Sequence, residues 1–166
     1  AAGATVERIS FPRLTEAYDM AGILYTSDAY SYWGKTIEAA PEKMYHQILT
    51  RIRPGGAFTA VDYIAGWAEL NDIRAAYAEF ASGYDAVIVP TVPSLPPNIA
   101  RLENEPEYFV QENLLALRNT RISNLMGLCG LTIPTGVPST GLLLNGAPNS
   151  EEKLLRLGTA VEAALA

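Results

Sequence analysis

The chain has 166 residues, of which 49% are hydrophobic and 18% charged, and its formal net charge is −6. This length and composition predict one globular domain, residues 1–166, with a substantial core. The acidic balance argues against nucleic acid or an anionic membrane as a partner, and no apolar run approaches the roughly 20 residues of a membrane span. One cysteine and one histidine exclude a disulfide framework and disfavour a metal site. We therefore expect no metal, no cofactor and a reducing, cytoplasmic setting.

The first half of the chain is predicted to be mainly helical. Apolar residues recur every three or four positions, which is typical of helices with one buried face. Thr59 followed by Asp62 resembles a capping box, which would open the third helix. The predicted elements are a strand near Thr5–Ile9, a helix at Leu14–Ala39, a helix from Pro41 to the break at Pro54-Gly55-Gly56, and a helix from Thr59 to about Ser82.

The stretch Tyr84–Thr91 is predicted to be the central strand. Its apolar run, Ala86–Val89, is mostly β-branched and ends at Pro90. Such a run is typical of a strand that is buried on both faces of a parallel or mixed sheet. Open α/β sheets bind ligands beyond the carboxyl ends of their strands. Thr91 is therefore a candidate for lining a ligand crevice.

The rest of the chain alternates between loops, helices and short strands. The proline-rich segment Thr91–Pro106 is expected to hold no regular element. The elements that follow are a helix at Glu107–Met126 with Gly127 as its C-cap, strands at Leu131–Ile133 and Leu142–Leu144, and a final helix capped by Asn149 and Glu152. Strands separated by helices predict an α/β fold, with a layered αβα arrangement around a mixed, largely parallel sheet.

Four stretches of the chain contain short motifs built on Arg, Asp, Pro, Asn and Gly residues. They are Arg51–Tyr63, Tyr84–Pro97, Arg118–Gly136 and Gly141–Gly146. Together they resemble the C-terminal half of amidase signature enzymes, which carries R-x-x-x-G with a later D-Y, an Asp-led strand before P-T-x-P, T-x-x-x-N-x-x-G, and a Gly-led strand before the last helix. Two departures bear on substrate class more than on fold: Cys129 or Gly130 replaces the family's Pro, and Leu143–Asn145 replaces part of the last strand's motif.

The resemblance implies a parent enzyme that hydrolyses amides with two serines and a lysine. A serine needs a nearby base to become nucleophilic, and flanking glycines let backbone N–H groups reach the oxyanion. The chain contains no Ser-Ser, Gly-Gly-Ser or Ser-Gly-Gly. We therefore expect the catalytic elements to precede residue 1, and the chain to be an incomplete amidase signature fold that is inactive alone. The expected partner is the missing N-terminal catalytic half, and an exposed cut surface would favour a homodimer.

Four residues are candidates for the wall of a substrate pocket. The resemblance implies that an arginine from this region helps to hold substrate, and a guanidinium suits a carboxylate or carbonyl. Arg51 is the candidate, and Arg53 competes for the role; the alternative is that Arg51 is a surface arginine in the last turn of a helix. Thr91 would line the crevice. Thr120 and Asn124 share a helix face, where the asparagine either bonds a loop backbone as scaffold or reaches substrate. No catalytic residue and no metal ligand is assigned.

Two further sets of residues imitate catalytic patterns. Ser27, Ser31 and Lys35 lie four apart on one predicted helix face, and Ser150 and Lys153 match Ser-x-x-Lys without its companion motifs. Both are interpreted as ordinary polar positions. An alternative function also remains open, which is a stand-alone, non-catalytic α/β module that binds a small ligand or a protein.

Overall fold

The computed structural model describes residues 3–165, which form two compact units. The helical unit comprises residues 13–73, and the sheet unit comprises residues 74–165 together with residues 3–12. Our expectation of a single domain stays a prediction. The α-helices are α1 (Leu14–Ala39), α2 (His46–Ile52), α3 (Ala60–Ala81), α4 (Ile99–Asn104), α5 (Pro106–Ala116), α6 (Arg118–Met126) and α7 (Glu151–Leu165), and the strands are β1 (Val87–Pro90), β2 (Cys129–Pro134) and β3 (Gly141–Gly146). None of the helices in residues 3–165 has the length and apolar character of a membrane span.

The helical unit is organised around α1, whose small residues allow close packing. Ala17, Ala21 and Leu24 are buried along this helix. The 3₁₀ turn at Arg53–Gly56 packs against α1 so closely that a Cβ on Gly55 would lie 1.9 Å from the carbonyl oxygen of Thr26. Only glycine fits at this contact without a shift of the backbone.

The predicted capping box at the start of α3 is confirmed. The Thr59 amide donates to Asp62 Oδ2 at 2.9 Å, and the Asp62 amide donates to Thr59 Oγ1 at 3.1 Å. Each side chain thus satisfies a backbone N–H that the first helical turn leaves without a partner. Later in α3, the Tyr63 hydroxyl donates to Asp28 Oδ1 at 2.7 Å, which ties this helix to α1.

The sheet has the order β1-β3-β2, and both of its pairings are antiparallel. The expected largely parallel pairing is therefore not found among the described strands. The reason is local, because β2 and β3 are joined by only residues 135–140 and so short a connection makes a hairpin. β1 and β2 run in the same direction, as the helices between them predict, but β3 lies between the two.

Two other segments differ from the sequence prediction. Thr5–Ile9 lies outside every strand that the structure describes, because no other strand pairs with its backbone. The helix α4 forms within the proline-rich segment, since its prolines only flank it, and Asn98 Oδ1 caps it by accepting from the Arg101 amide at 3.1 Å.

The predicted helix at Glu107–Met126 is divided at Leu117 into α5 and α6. Its predicted C-cap is confirmed, because Gly127 has a positive φ of 68°. The last helix begins at Glu151, so Ser150 takes the capping position predicted for Asn149, and its carbonyl accepts from the Leu154 amide at 2.9 Å.

The two faces of the sheet contact different helices of the sheet unit. Ile133 and Leu144 pack with Leu154 of α7 in one apolar cluster. A Cβ on Gly158 of α7 would lie 2.4 Å from the Leu131 side chain, so this helix lies close on β2. Because side chains alternate along a strand, Asn145 faces the opposite side from Leu144, and α6 reaches it there.

Candidate functional site

The carboxyl ends of β1 and β2 meet beside the first residue of β3. Pro90 pairs with Leu142, and Pro134 pairs with Gly141. The Thr91 amide extends the pairing by donating to the Gly141 carbonyl at 2.8 Å. This end of the sheet therefore brings together the loop after β1 and the turn that joins β2 to β3.

Threonine hydroxyls are grouped at this end of the sheet. Thr91 Oγ1 donates to Thr132 Oγ1 at 3.4 Å, the hydroxyls of Thr135 and Thr140 bond each other, and Thr140 Oγ1 also donates to the Val137 carbonyl at 2.9 Å. A hydroxyl both donates and accepts but carries no charge. This group, Thr91, Thr132, Thr135 and Thr140, is therefore suited to a neutral carbonyl or amide.

The peptide group between Pro90 and Thr91 is bonded at both of its polar atoms. Asn119 Nδ2, from α6, donates to the Pro90 carbonyl at 2.6 Å. The N–H of the same peptide is the Thr91 amide that donates to Gly141. In a trans peptide the two groups point in opposite directions, so the Pro90 carbonyl points away from β3, where α6 supplies its partner.

A second amide side chain bonds β1 nearer its start. Asn145 is buried, with 3% of its surface exposed, and its Nδ2 donates to the Val87 carbonyl at 3.1 Å. Its Oδ1 accepts from the hydroxyl of Ser123 on α6. A buried amide is costly unless its groups are bonded, and here both ends of the amide have partners. The network Ser123–Asn145–Val87 thus links α6, β3 and β1.

The polar pair that reaches the sheet is displaced by one residue from the predicted pair. Thr120 Oγ1 donates to the Leu117 carbonyl of its own helix at 3.2 Å, and Asn124 is exposed. Asn119 bonds the backbone at the last residue of β1, and the role predicted for Asn124 stays a prediction. The missed signal is a stripe with spacing i, i+3, i+4 and i+7, formed by Asn119, Ile122, Ser123 and Met126, in which Ile122 and Met126 are buried.

The four predicted pocket residues lie on both units. Thr91, Thr120 and Asn124 belong to the sheet unit. Arg51 is half-buried on α2, within the helical unit. Their contact with a substrate stays a prediction.

In the two sets that imitate catalytic patterns, Ser31, Ser150 and Lys153 have local partners, whereas Ser27 Oγ is buried without a hydrogen-bond partner among residues 3–165. Ser150 Oγ donates to the Ala147 carbonyl at 2.6 Å, whereas Lys153 Nζ lies 2.8 Å from Asp85 Oδ1 and lowers the pKa of that carboxyl. Ser31 Oγ donates to the Asp28 carbonyl at 2.8 Å. These contacts agree with the interpretation of Ser31, Ser150 and Lys153 as ordinary polar positions. Within residues 3–165, no three His, Cys, Asp or Glu side chains are grouped as a metal ion would require.

A cleft of about 370 Å³ lies in the sheet unit, but at the other end of the strands. It is lined by Cys129 at the start of β2 and by Asn149 and Glu151 around the start of α7. Because Cys129 pairs with Gly146 and Pro134 pairs with Gly141, this cleft and the threonine hydroxyls occupy opposite ends of the sheet.

Comparison with known proteins decides the family. The family model described as Amidase matches residues 1–155. The chain belongs to the amidase family. It is 33% identical over 168 residues to 2-amino-5-chloromuconic acid deaminase of Comamonas testosteroni, with 98% of this chain and 36% of that protein covered. It is 31% identical over 115 residues to a fatty acid amide hydrolase of Oryza sativa subsp. indica, with 64% of this chain and 18% of that protein covered.

Solved structures also show a fold similar to that of this amidase-family chain. A crystal structure of an amidase superposes with a TM-score of 0.75 at 25% identity, over 93% of this chain and 36% of that one. Allophanate hydrolase of Kluyveromyces lactis gives a TM-score of 0.80 at 22% identity, over 92% of this chain and 25% of that one, and shows the fold alone. The predicted family and the α/β class are confirmed. The chain spans about a third or less of the length of these relatives.

Proposed function

We propose that the chain is a C-terminal segment of an amide-hydrolysing enzyme, in which it supplies scaffold and part of the substrate-pocket wall. The observation that carries this proposal is the family match over residues 1–155, because it includes residues of both compact units. The catalytic serines and lysine would come from the N-terminal catalytic half of the parent chain. Hydrolysis needs an activated nucleophile and an oxyanion site, so the segment alone would be inactive.

The proposed pocket wall consists of Arg51, Thr91, Thr120 and Asn124. The threonine hydroxyls at the end of β1 would bond the neutral carbonyl or amide of the substrate. Arg51 would bind a carboxylate, which a guanidinium holds through two parallel hydrogen bonds. The relative that covers 98% of this chain is named for 2-amino-5-chloromuconic acid, an acid, and this supports a charged group for Arg51.

In the parent enzyme, the sheet β1-β3-β2 would be one part of a larger mixed and largely parallel sheet between two helical layers. Two observations support this arrangement: α6 and α7 contact opposite faces of the sheet, and β1 and β2 run in the same direction. The low cysteine count favours the cytoplasm as its location.

The test compares three samples in an assay of ammonia release from small primary amides. They are the 166-residue chain, the same chain mixed with a separately expressed upstream part, and the uninterrupted protein that its gene encodes. We expect no hydrolysis by the chain alone and hydrolysis by the other two. Hydrolysis by the chain alone would overturn the proposed division of labour. Lasting inactivity of the mixture despite a demonstrated complex, together with inactivity of the uninterrupted protein, would favour the stand-alone binding module instead.

A further inference from the structure

The peptide between Pro90 and Thr91 is hydrogen-bonded at both its carbonyl and its N–H, and none of the predicted pocket residues supplies the bond to the carbonyl. Its carbonyl accepts from Asn119 Nδ2 at 2.6 Å and its N–H donates to Gly141 at 2.8 Å. A peptide group is planar, so bonds at both polar atoms fix its rotation about the chain axis. That rotation determines where the Thr91 side chain begins.

We propose that Asn119 is a positioning residue for substrate binding, because its side-chain amide holds the Pro90–Thr91 peptide and thereby orients the Thr91 hydroxyl. The proposal rests on the proposed function, in which Thr91 lines the substrate pocket. Asn119 is a residue that the sequence resemblance does not supply, since the resemblance places the family's asparagine at Asn124.

The close neighbours of Thr91 restrict the orientation of its hydroxyl. A Cβ on Gly141 would lie 2.8 Å from Thr91 Oγ1, so the hydroxyl lies directly against the backbone of β3. On its other contact, Thr91 Oγ1 bonds Thr132 Oγ1 at 3.4 Å. Rotation of the peptide would shift the hydroxyl away from both neighbours and change which of its lone pairs faces a ligand.

The donor that fixes this peptide lies on a well-packed helix. Asn119 is in the first turn of α6, and the buried Ile122 and Met126 continue its stripe. Further along the same stripe, Ser123 bonds Asn145, which in turn bonds the Val87 carbonyl of β1. The helix is thus connected to β1 at two points, and only the Asn119 bond lies next to Thr91.

The test uses the protein as its gene encodes it, with variants Asn119→Ala and Asn119→Asp and the matched control Asn104→Ala. Asn104 makes the same kind of bond, from its Nδ2 to the Ala100 carbonyl at 2.7 Å, but on the exposed helix α4. The measurements are kcat and KM for a primary amide that the unmodified protein hydrolyses, the pH profile of each variant, and the hydrogen-exchange rate of the Thr91 amide.

We expect Asn119→Ala to raise KM about 5- to 10-fold with little change in kcat, as the loss of one hydrogen bond that supports ground-state binding predicts. Asn104→Ala should leave both values unchanged. An aspartate at position 119 cannot donate when ionised but can when protonated. The activity of Asn119→Asp relative to the unmodified protein should therefore rise as the pH falls toward about 4, whereas that of Asn119→Ala should not. Exchange of the Thr91 amide should be faster in both variants.

The proposal would be overturned by a KM within about twofold of the unmodified value in Asn119→Ala, or by unchanged Thr91 exchange. A lower kcat at unchanged KM would also overturn it, because that pattern reports fewer folded molecules rather than altered binding. If the unmodified protein hydrolyses no amide, the proposed function fails, and with it the role in substrate binding. The exchange rate then still decides whether Asn119 holds the peptide, so the two failures are distinguishable.

Discussion

The helical unit and the sheet unit are stabilised in different ways. In the helical unit the close contacts involve small residues, such as Gly55 against the Thr26 carbonyl, and the polar bonds lie mostly at the surface, such as the pair of Arg53 and Glu38 at 2.9 Å. In the sheet unit a buried amide, Asn145, connects a helix and two strands. Apolar packing tolerates changes that keep volume, whereas a buried polar network fails when one member is removed. The helical unit should therefore be sensitive to added volume, and the sheet unit to lost hydrogen bonds.

The largest expected effect is Gly55→Ala in the helical unit. The new methyl group would meet the backbone of α1 at 1.9 Å from the Thr26 oxygen, and a backbone atom cannot move aside as a flexible side chain can. We expect the free energy of unfolding to fall by about 3 kcal/mol. Both tryptophans, Trp33 and Trp67, lie in this unit, so urea denaturation followed by tryptophan fluorescence reports on it.

The control for Gly55→Ala is Gly22→Ala on α1. Apart from its chain neighbours and the backbone of its own helix, a Cβ at Gly22 would meet no described atom within 4 Å, and alanine favours a helix over glycine by about 1 kcal/mol. The two substitutions should shift the urea midpoint in opposite directions. Similar midpoints for both variants would contradict the close packing of the 3₁₀ turn on α1.

In the sheet unit, the corresponding prediction concerns Asn145→Ala. The substitution removes the donor to the Val87 carbonyl and the acceptor for the Ser123 hydroxyl, and it should lower the free energy of unfolding by about 2 kcal/mol. Ser123→Ala should cost about 1 kcal/mol. The double variant should cost less than the sum of the two, because both remove the same bond. Strict additivity, measured by urea denaturation of all four proteins, would show that the bond contributes nothing.

Removal of a tyrosine hydroxyl should change the free energy of unfolding in opposite directions in the two units. The Tyr77 hydroxyl, in the sheet unit, is buried without a hydrogen-bond partner among residues 3–165, and burial raises the pKa of this tyrosine. Tyr77→Phe should therefore raise the free energy of unfolding by about 1 kcal/mol. In the helical unit, Tyr63→Phe removes the 2.7 Å bond to Asp28 and should lower it by about 1 kcal/mol. Thermal unfolding of both variants would measure the two signs, and a destabilised Tyr77→Phe would contradict the first.

The helical unit was also the more predictable of the two from its sequence. A helix depends on residues three and four apart, so the periodicity of α1 and the Thr59–Asp62 capping box are both visible locally. Pairing of strands depends on which segments meet in space. The run Ala86–Val89 predicted β1, but nothing within it indicates that β3 would be its neighbour or that the pairing would be antiparallel.

The contacts around the candidate site residues were less visible in the sequence, for the same reason. The end of β1 pointed to Thr91, whose neighbours Thr132 and Gly141 are fixed by strand pairing and not by local spacing. On α6 the spacing of four was identified, but on Thr120 and Asn124. The buried stripe through Ile122 and Met126 places Asn119 and Ser123 toward the sheet instead. A polar residue that continues an apolar stripe is therefore the stronger signal for a bond into a core.

The smallest expected effect is a difference in acid sensitivity. The Thr59 hydroxyl and backbone amide donate to the Asp62 carboxylate at 2.7 and 2.9 Å and hold its pKa below the usual value. Near pH 4 the folded chain therefore binds fewer protons at this site than the unfolded chain, so the stabilisation is present above that pH and is lost as the pH falls through the lowered pKa. We expect Asp62→Asn to flatten the loss of stability of the helical unit in acid, measured by urea denaturation with tryptophan fluorescence between about pH 7 and 3.

Asp85, in the sheet unit, also has its pKa lowered, by Lys153, but its side chain is 80% exposed. Solvent screens such a pair, whereas Asp62 accepts two hydrogen bonds from Thr59. Asp85→Asn should therefore alter the acid response less when both variants are followed by far-ultraviolet circular dichroism, which reports on both units. An equal response of the two variants would contradict the distinction.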